Sequence, residues 1–467
     1  MISLVLGLIA ADPFRAAVIV GVGEPFEGTP PLVYADDDAA RFAELFGPRS
    51  DALELLAVLD AETQLIFPDA AKLSRVPSRA ELDAAMGRVS ERARVARASG
   101  KRTELTFVYV GHGRAAGGEG EVRLFEGALS RRDLHAVVLS AGAFDRIHVI
   151  VDACDAYHFV NARGDTAAEA ERAFDRFLES ETLSAHPASG AVLATSGSGP
   201  THEWSRLRGG IFSHEVRSGL IGGADADGDG EVSYEELDGF LRAANLDVPA
   251  SLGRTSVWVR APAIERNARL SKRVEARSII FGASVVGRFV VYDDRGLRYS
   301  ELNKAKGLEV SLGLVPGHEY DVVNDRGRIV AKVPADRAVL LSEPLVDLGE
   351  WPHERGGAEL PPIFSRAYGP EFLAGFRARA ELLEPRAEVV ERSRWPAWLT
   401  VGASALALSG AVWQGAAAAH SHSLYQSTPS AAERDAYAED VRSERGWAIG
   451  LGVAAAAGAV VSVFLAR

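Results

Sequence analysis

The sequence predicts an α/β domain with a mostly parallel sheet over residues 12–250 of the 467-residue chain. Apolar runs of strand length alternate with segments that carry helix start signals, and this alternation is typical of strand–helix–strand units. Two of the runs, 106–110 and 147–151, end within three residues of a histidine or a cysteine. Because ligands of parallel sheets bind beyond the carboxyl ends of the strands, both side chains are expected at the functional edge.

The predicted elements follow one another in the order that such a sheet requires. Residues 16–23 form the first buried strand, and the acidic run 36–38 starts a helix that ends at Gly47. Carboxylates in a first turn stabilise a helix because they lie at the positive end of its dipole. Ser78, with Glu81 three residues later, caps a long helix through residue 98. The other predicted strands are 53–59, 106–110, 147–151 and 191–195, and the other predicted helices are 129–139, 167–183 and 210–220.

A second unit, over residues 255–350, is predicted to be all-β. Its short apolar runs are separated by two similar turn signals, the four-residue segments 293–296 and 324–327, and each segment ends in Arg-Gly. This pattern indicates a small sandwich-like domain, which we interpret as a spacer or docking module. Residues 351–396 are predicted to be a linker that contains an amphipathic stretch.

The carboxyl-terminal part of the chain predicts a transmembrane helical hairpin. The runs 397–419 and 447–466 contain no charged residue, and the loop 420–446 between them is polar and charged. A pair of alanine-rich buried helices is the alternative interpretation. Residues 1–11 are apolar and fit a possible signal peptide, although a positive first region is missing. We expect a bacterial-type inner membrane location, with the first domain on the periplasmic side if residues 1–11 are a signal peptide.

Composition excludes several classes of protein. Hydrophobic residues make up 47% and charged residues 25% of the chain, which is typical of globular domains. The net charge of −13 argues against a nucleic-acid partner, which requires a basic surface. The single cysteine, Cys154, excludes an intrachain disulfide and is a candidate nucleophile with His112 as its base. Taken singly, Cys154 could be a small buried hydrophobe and His112 a loop residue.

The segments Gly111-His112-Gly113 and Val151-Asp152-Ala153-Cys154 carry a resemblance to a known family. Their histidine and cysteine are 42 positions apart (154 − 112), in the order and on the elements found in caspase-like cysteine peptidases, including metacaspases. The resemblance covers residues 15–245 and implies a three-layer α/β/α fold. It also implies that Cys154 is the nucleophile, His112 the general acid and base, and the amides of Gly113 and Cys154 the oxyanion hole.

The same resemblance implies a substrate pocket with a preference for Arg or Lys at P1, the residue before the scissile bond. Asp152 matches one acidic pocket position, and Asp38 or its neighbour Asp37 matches a second. Paired carboxylates favour a cationic side chain through charge-assisted hydrogen bonds. The segment Asp155-Ala156-Tyr157-His158 departs from the family pattern, so substrate specificity and activity are the points to test.

Residues 225–236 match the EF-hand calcium loop at its diagnostic positions. Carboxylates stand at positions one, three and five, glycine at six and a glutamate at twelve. The alternative is an aspartate-rich surface turn. The predicted Ca²⁺ ligands are Asp225, Asp227, Asp229, the carbonyl of Glu231, and Glu236.

Together these features predict a membrane-anchored cysteine endopeptidase that acts on proteins or peptides and holds one calcium ion. Two alternatives stay open. The same fold could serve as a catalytically silent scaffold, or the chain could be a calcium-stabilised, membrane-tethered binding protein. The oligomeric state is not predicted.

Overall fold

The computed structural model describes residues 12–116, 119–153, 186–195, 203–249, 254–272, 277–352 and 363–383. The possible signal peptide, Cys154, the predicted helix 167–183 and the predicted membrane hairpin lie outside these ranges. The described residues as far as Glu381 form one compact unit. Within the described ranges, no helix is both long and apolar enough to cross a membrane.

A seven-stranded sheet forms the centre of the chain. Its spatial order is β13-β9-β8-β4-β1-β2-β3, and every pair is parallel except β13 with β9. This confirms a mixed α/β fold with a parallel central sheet. The strands are β1 (Phe14–Val22), β2 (Ala52–Ala57), β3 (Ser74–Arg75), β4 (Thr103–Gly111), β8 (Arg146–Ala153), β9 (Ser189–Thr195) and β13 (Ser256–Arg260).

The sheet is covered by apolar side chains on both faces. Along β1, Val18 belongs to one hydrophobic cluster and Ile19 to another, because successive side chains of a strand point to opposite faces. Phe42 lies in the cluster of Ile19, and Met86 lies in the cluster of Val18. The helices are α1 (Ala35–Phe46), α2 (Ala61–Ile66), α3 (Pro68–Leu73), α4 (Arg79–Ala98), α5 (Arg131–Leu134), α6 (Ile211–Ser218), α7 (Tyr234–Asn245) and α8 (Pro370–Leu383).

Seven short strands form three small sheets outside the central sheet. A three-stranded antiparallel sheet follows β4 directly, and a two-stranded ladder precedes α6. A second two-stranded ladder joins the predicted calcium loop to a later strand. These strands are β5 (Gly113–Ala116), β6 (Glu119–Leu124), β7 (Gly127–Ser130), β10 (Glu203–Trp204), β11 (Gly209–Gly210), β12 (Glu231–Ser233) and β14 (Arg269–Lys272).

The all-β unit contains two sheets, ordered β18-β15-β21 and β17-β16-β19-β20. Phe281 and Phe289 join them, with ring centroids 5.1 Å apart. The strands are β15 (Ser278–Phe281), β16 (Gly287–Asp293), β17 (Arg298–Lys304), β18 (Val310–Gly313), β19 (Tyr320–Asn324), β20 (Ile329–Val333) and β21 (Val339–Leu341).

The change of pattern near residue 255 does not coincide with the start of the all-β unit. The first strand after that position, β13, pairs with β9 and completes the central sheet. Trp258, the middle residue of β13, is 8% exposed and belongs to the core of that sheet. Burial of the Trp258 indole stabilises the pairing of β13 with the central sheet.

Candidate active site

The carboxyl ends of β4 and β8 meet at one edge of the sheet. Gly111 lies opposite Ala153 in the parallel register, and each is the last residue of its strand. His112 follows Gly111, and Cys154 follows Ala153 in the sequence. Cys154 and the segment 155–158 lie outside the described residues, so the roles assigned to them remain predictions.

His112 is buried, with 6% of its surface exposed. Burial lowers the pKa of the His112 ring below its usual value, and a hydrogen bond to the backbone carbonyl of Pro30 opposes this effect only in part. Among the described residues, no group forms a hydrogen bond with its Nε2 atom. A neutral imidazole that is oriented by a carbonyl and has an unbonded nitrogen is suited to act as a general base.

The backbone around His112 is held by polar contacts. Its carbonyl oxygen accepts hydrogen bonds from the amide of Arg123 at 2.9 Å and from the hydroxyl of Tyr109 at 3.0 Å. A Cβ atom at Gly111 would lie 2.5 Å from the Tyr109 hydroxyl and 2.8 Å from the carbonyl oxygen of Val22. Glycine is therefore required before the histidine, since these two neighbours leave no space for a side chain.

Gly113 is the described half of the predicted oxyanion hole. It is the first residue of β5 and lies opposite Val122 of β6. The second half, the amide of Cys154, lies outside the described residues, so the oxyanion hole remains a prediction.

Asp152 is a buried carboxyl group near the end of β8. Its Oδ2 atom accepts hydrogen bonds from the amide of Ser213 at 3.1 Å and from the Ser213 hydroxyl at 2.5 Å. Burial raises the pKa of Asp152 to about 7, and the nearby Asp38 carboxylate adds to the rise. Near neutral pH, a large fraction of this group is therefore protonated and uncharged.

Asp38, in the first turn of α1, is 1% exposed and already has a cationic partner. Its Oδ1 atom lies 2.6 Å from Nη1 of Arg217, and its Oδ2 atom accepts the amide of Gly210 at 2.6 Å. A Cβ atom at Gly210 would lie 2.9 Å from Asp152 Oδ2 and 3.5 Å from Asp38 Oδ2. The structure thus brings Asp38 and Asp152 together on either side of Gly210.

Asp37 forms different contacts, although it precedes Asp38 in the helix. Its Oδ1 atom lies 3.3 Å from Nη2 of Arg208, and its Oδ2 atom accepts the hydroxyl of Thr63 at 3.3 Å. Burial raises the pKa of Asp37 to about 6, while Arg208 acts in the opposite direction. Of the two neighbouring aspartates, Asp38 is therefore the one that lies near Asp152.

Sequence reasoning did not single out Arg217, Ser213, Pro30 or Tyr109. The first two belong to α6, whose eight residues are all buried. A polar or charged side chain in a fully buried helix indicates a hydrogen-bonding or ion-pair partner, because buried charges are normally paired. The partner of Arg217 is 179 positions away, so the sequence gives no spacing from which to identify it.

The predicted calcium loop has three carboxylates in one place. Oxygen atoms of Asp225, Asp227 and Asp229 all lie within 4.8 Å of one another. Asp225 also accepts the amides of Gly228 at 2.7 Å and Gly230 at 2.9 Å, which folds the loop around it. Both glycines have a positive φ, a conformation that favours glycine over other residues. These oxygen donors match the chemistry that Ca²⁺ prefers.

Glu236 stands apart from that cluster. Its Oε2 atom accepts the amide and hydroxyl of Ser233, and its Oε1 atom accepts the amide of Ala226 at 3.1 Å. Arg269 lies over the acidic loop, with Nη2 2.8 Å from Asp229 Oδ2 and Nε 3.1 Å from Glu231 Oε2. The three aspartates fit a calcium site, whereas Glu236 would have to exchange hydrogen bonds to become a ligand.

Comparisons with known proteins add little to this geometry. No protein-family model matches the chain, and no curated protein matches it. Among solved structures, it is similar to caspase-1 from Spodoptera frugiperda, with a TM-score of 0.35 and 10% sequence identity. That alignment covers 55% of this chain and 91% of the insect protein. At this level the similarity carries no argument about activity.

Proposed function

We propose that this chain is a caspase-like cysteine endopeptidase, with Cys154 as nucleophile and His112 as general base and acid. The observation that carries the proposal is the register of β4 and β8, in which Gly111 lies opposite Ala153. The next residues in the sequence are His112 and Cys154. A thiol becomes an effective nucleophile when a histidine of this kind takes its proton or stabilises the thiolate.

In the proposed reaction, His112 Nε2 takes the proton of the Cys154 thiol, and the sulfur attacks the carbonyl carbon of the scissile peptide bond. The amides of Gly113 and Cys154 donate hydrogen bonds to the oxyanion that forms. The C–N bond then breaks as His112 returns the proton to the leaving amine. Water hydrolyses the thioester, which releases the acid product and restores the thiol. The Pro30 carbonyl orients the ring throughout.

Cleavage of a peptide mixture by the full chain tests this proposal. Peptides with Arg, Lys, Asp, Gln or Ala at P1 are incubated with the wild-type chain, Cys154→Ala and His112→Ala. We expect the wild type to cleave and Cys154→Ala and His112→Ala not to. His318→Ala is the histidine control and should cleave like the wild type, because His318 pairs with Asp294 in the all-β unit. Equal cleavage by wild type and Cys154→Ala would rule out the proposed nucleophile.

A catalytically silent scaffold is the second candidate. The observation that favours it is the departure of segment 155–158 from the peptidase pattern, with Tyr157 where a small residue is more common. A folded wild-type chain that cuts none of the five peptides, and whose thiol reacts no faster than a free cysteine, would support the scaffold.

The P1 preference for Arg or Lys needs Asp38 and Asp152 to present negative charge. Their proximity supports an acidic pocket, but Asp38 is paired with Arg217, and a large fraction of Asp152 is uncharged near pH 7. A basic P1 side chain would have to compete with a guanidinium group that is already in place.

Calcium binding by residues 225–236 is part of the proposal, supported by the clustered oxygens of the three aspartates. When bound, the ion would neutralise these carboxylates and stabilise the loop that connects α6 to α7. Membrane anchoring through residues 397–466, and a periplasmic location, also remain proposals that rest on sequence pattern. Extraction of the full chain from membranes by detergent, but not by salt or alkali, would support the anchor.

A further inference from the structure

The ion pair with Arg217 and the hydrogen bond from Gly210 leave no free carboxylate oxygen on Asp38. Nη1 of Arg217 lies 2.6 Å from Asp38 Oδ1, and the amide of Gly210 donates to the other oxygen. The side chain of Asp38 is 1% exposed and that of Arg217 is 5% exposed. Both oxygens of Asp38 are therefore already bonded to donors of this chain.

The remaining carboxyl group does not restore the negative charge. Asp152 accepts two hydrogen bonds from Ser213, and burial favours its protonated form near neutral pH. The negative charge of Asp38 and the positive charge of Arg217 cancel each other. A second cation in this place would be buried without a counter-ion, which is strongly unfavourable.

Arg217 is also fixed in position. Its guanidinium lies over the Phe42 ring, 5.3 Å from the ring centroid, and α6 is buried along its whole length. Arg217 also lines a cavity of about 20 Å³, together with Arg41 and Asp293 among other residues. Such a cavity has room for about one water molecule, so the guanidinium cannot turn into it.

We propose that Arg217 is the specificity-determining residue of the substrate pocket: it occupies the guanidinium position between Asp38 and Phe42 and makes the pocket reject Arg and Lys at P1 in favour of uncharged side chains. This inference rests on the proposed peptidase function. It reverses the P1 preference that the family resemblance implies, because the charge of the whole pocket, rather than that of its carboxylates, selects the substrate.

Peptide cleavage by Arg217→Met tests the specificity. The wild-type chain should cut peptides with Gln or Ala at P1 at least about 10-fold better than peptides with Arg or Lys, measured as kcat/KM. Arg217→Met should raise kcat/KM for the Arg peptide by about 10-fold or more, since Asp38 then loses its ion-pair partner and keeps only the amide of Gly210. Arg277→Met is the matched control, because Arg277 is buried in the all-β unit and bonds the carbonyls of Ala335 and His318.

Chemical rescue tests the pocket without using peptidase activity. Arg217→Ala should unfold at a lower temperature than the wild type, and millimolar ethylguanidinium should raise its unfolding temperature by occupying the position of the lost side chain. The wild-type chain and Arg328→Ala, which loses an exposed arginine, should show no such rise. A response of Arg217→Ala that equals those of the two controls would overturn the assignment of the guanidinium position.

The two tests separate this inference from the proposed function. If peptides are cut but Arg217→Met has the P1 profile of the wild type, the specificity proposal is overturned and the peptidase proposal stands. If no peptide is cut by any variant while ethylguanidinium rescues Arg217→Ala, the peptidase proposal fails and the pocket assignment stands. A wild-type chain that prefers Arg, together with an Arg217→Met variant that loses this preference, also overturns the inference.

Discussion

The hydroxyl of Tyr109 donates a hydrogen bond to the backbone carbonyl of His112 across 3.0 Å in the interior of the protein. The same hydroxyl also lies 2.8 Å from the backbone carbonyl of Arg123, so Tyr109→Phe removes a donor shared by two carbonyls, while the ring, which is 1% exposed, remains in the core. We expect unfolding free energy, measured in urea, to fall by about 1 kcal/mol. We also expect turnover to fall about 10-fold, because His112 then loses part of its positioning.

Tyr234→Phe is the control for that change. The Tyr234 hydroxyl bonds Nδ1 of His148 at 2.7 Å, so this variant also loses one buried hydrogen bond, but none at His112. A similar loss of stability with unchanged turnover is expected. If both variants reduced turnover equally, Tyr109 would have no special role in positioning the histidine.

The pH dependence of stability should contain a contribution from Asp152. Its pKa is raised to about 7 in the folded chain, whereas an unfolded aspartate has a pKa of about 4. Between these values the folded state binds the extra proton, so the unfolding free energy falls as pH rises through this window and then levels off. Asp152→Asn lacks this contribution and should lose less stability between pH 5 and pH 7.5, by about 1 kcal/mol per pH unit at most.

Urea unfolding of the wild type and Asp152→Asn at several pH values measures this difference. Asp69→Asn serves as the control, because the side chain of Asp69 is 90% exposed and should leave the wild-type pH profile unchanged. Parallel profiles for the wild type and Asp152→Asn would show that the Asp152 carboxyl does not hold its proton in the folded chain.

Calcium should stabilise the chain through residues 225–236. A ligand that binds only the folded state at about 100 times its Kd adds roughly 3 kcal/mol to the unfolding free energy. We therefore expect Ca²⁺ to raise the unfolding temperature of the wild type and to have little effect on Asp225→Asn or Glu236→Gln. Glu235→Gln is the matched control, since Glu235 is exposed and pairs with Arg377. A full calcium response in Asp225→Asn would exclude this loop as the site.

Arg269 should compete with calcium for the loop. It contacts Asp229 and Glu231 and lies 3.9 Å from Glu236, so it partly neutralises the carboxylates that the ion would need. Arg269→Gln should lower stability without calcium and tighten calcium binding, measured by calorimetric titration. Unchanged calcium affinity would show that Arg269 and the ion occupy the loop independently.

Arg295 should hold the all-β unit against α1. Its two terminal nitrogens bond both carboxylate oxygens of Glu44, at 2.7 and 3.0 Å, and its guanidinium lies over the Phe67 ring. Arg295→Met should reduce unfolding free energy by about 2 kcal/mol, because Glu44 and Asp293, which lies 2.7 Å from the guanidinium, both lose a half-buried cation. Arg328→Met removes an exposed pair with Asp347, which solvent screens, and should cost much less. Equal losses would contradict a role of Arg295 at this junction.

Local sequence patterns predicted the features that depend on neighbours in the chain. The alternation of apolar runs and helix signals gave the parallel sheet, and the spacing within residues 225–236 predicted a loop in which three aspartates cluster. The sequence shows Gly111 and His112 as part of one motif. The structure explains why residue 111 is a glycine, since it closely approaches Tyr109 and Val22.

Features that depend on distant residues could not be predicted in this way. The partner of Arg217 lies 179 positions away, and the strand that pairs with Glu231–Ser233 begins at Arg269. The acidic pair Asp38 and Asp152 was identified, yet its charge balance depends on Arg217 of a helix whose buried face the sequence did not reveal. For the same reason, β13 was placed with the all-β unit although it completes the central sheet.

The reactivity of Cys154 tests the proposed dyad without any substrate, because it is the only cysteine in the chain and any alkylated cysteine reports on it alone. The rate of alkylation by iodoacetamide is measured from pH 5 to pH 10 for the wild type and His112→Ala. We expect fast alkylation of the wild type with an apparent pKa well below about 8.5, and a slow reaction with a pKa near that value for His112→Ala. A wild-type rate and pKa equal to those of His112→Ala would contradict a Cys154–His112 dyad.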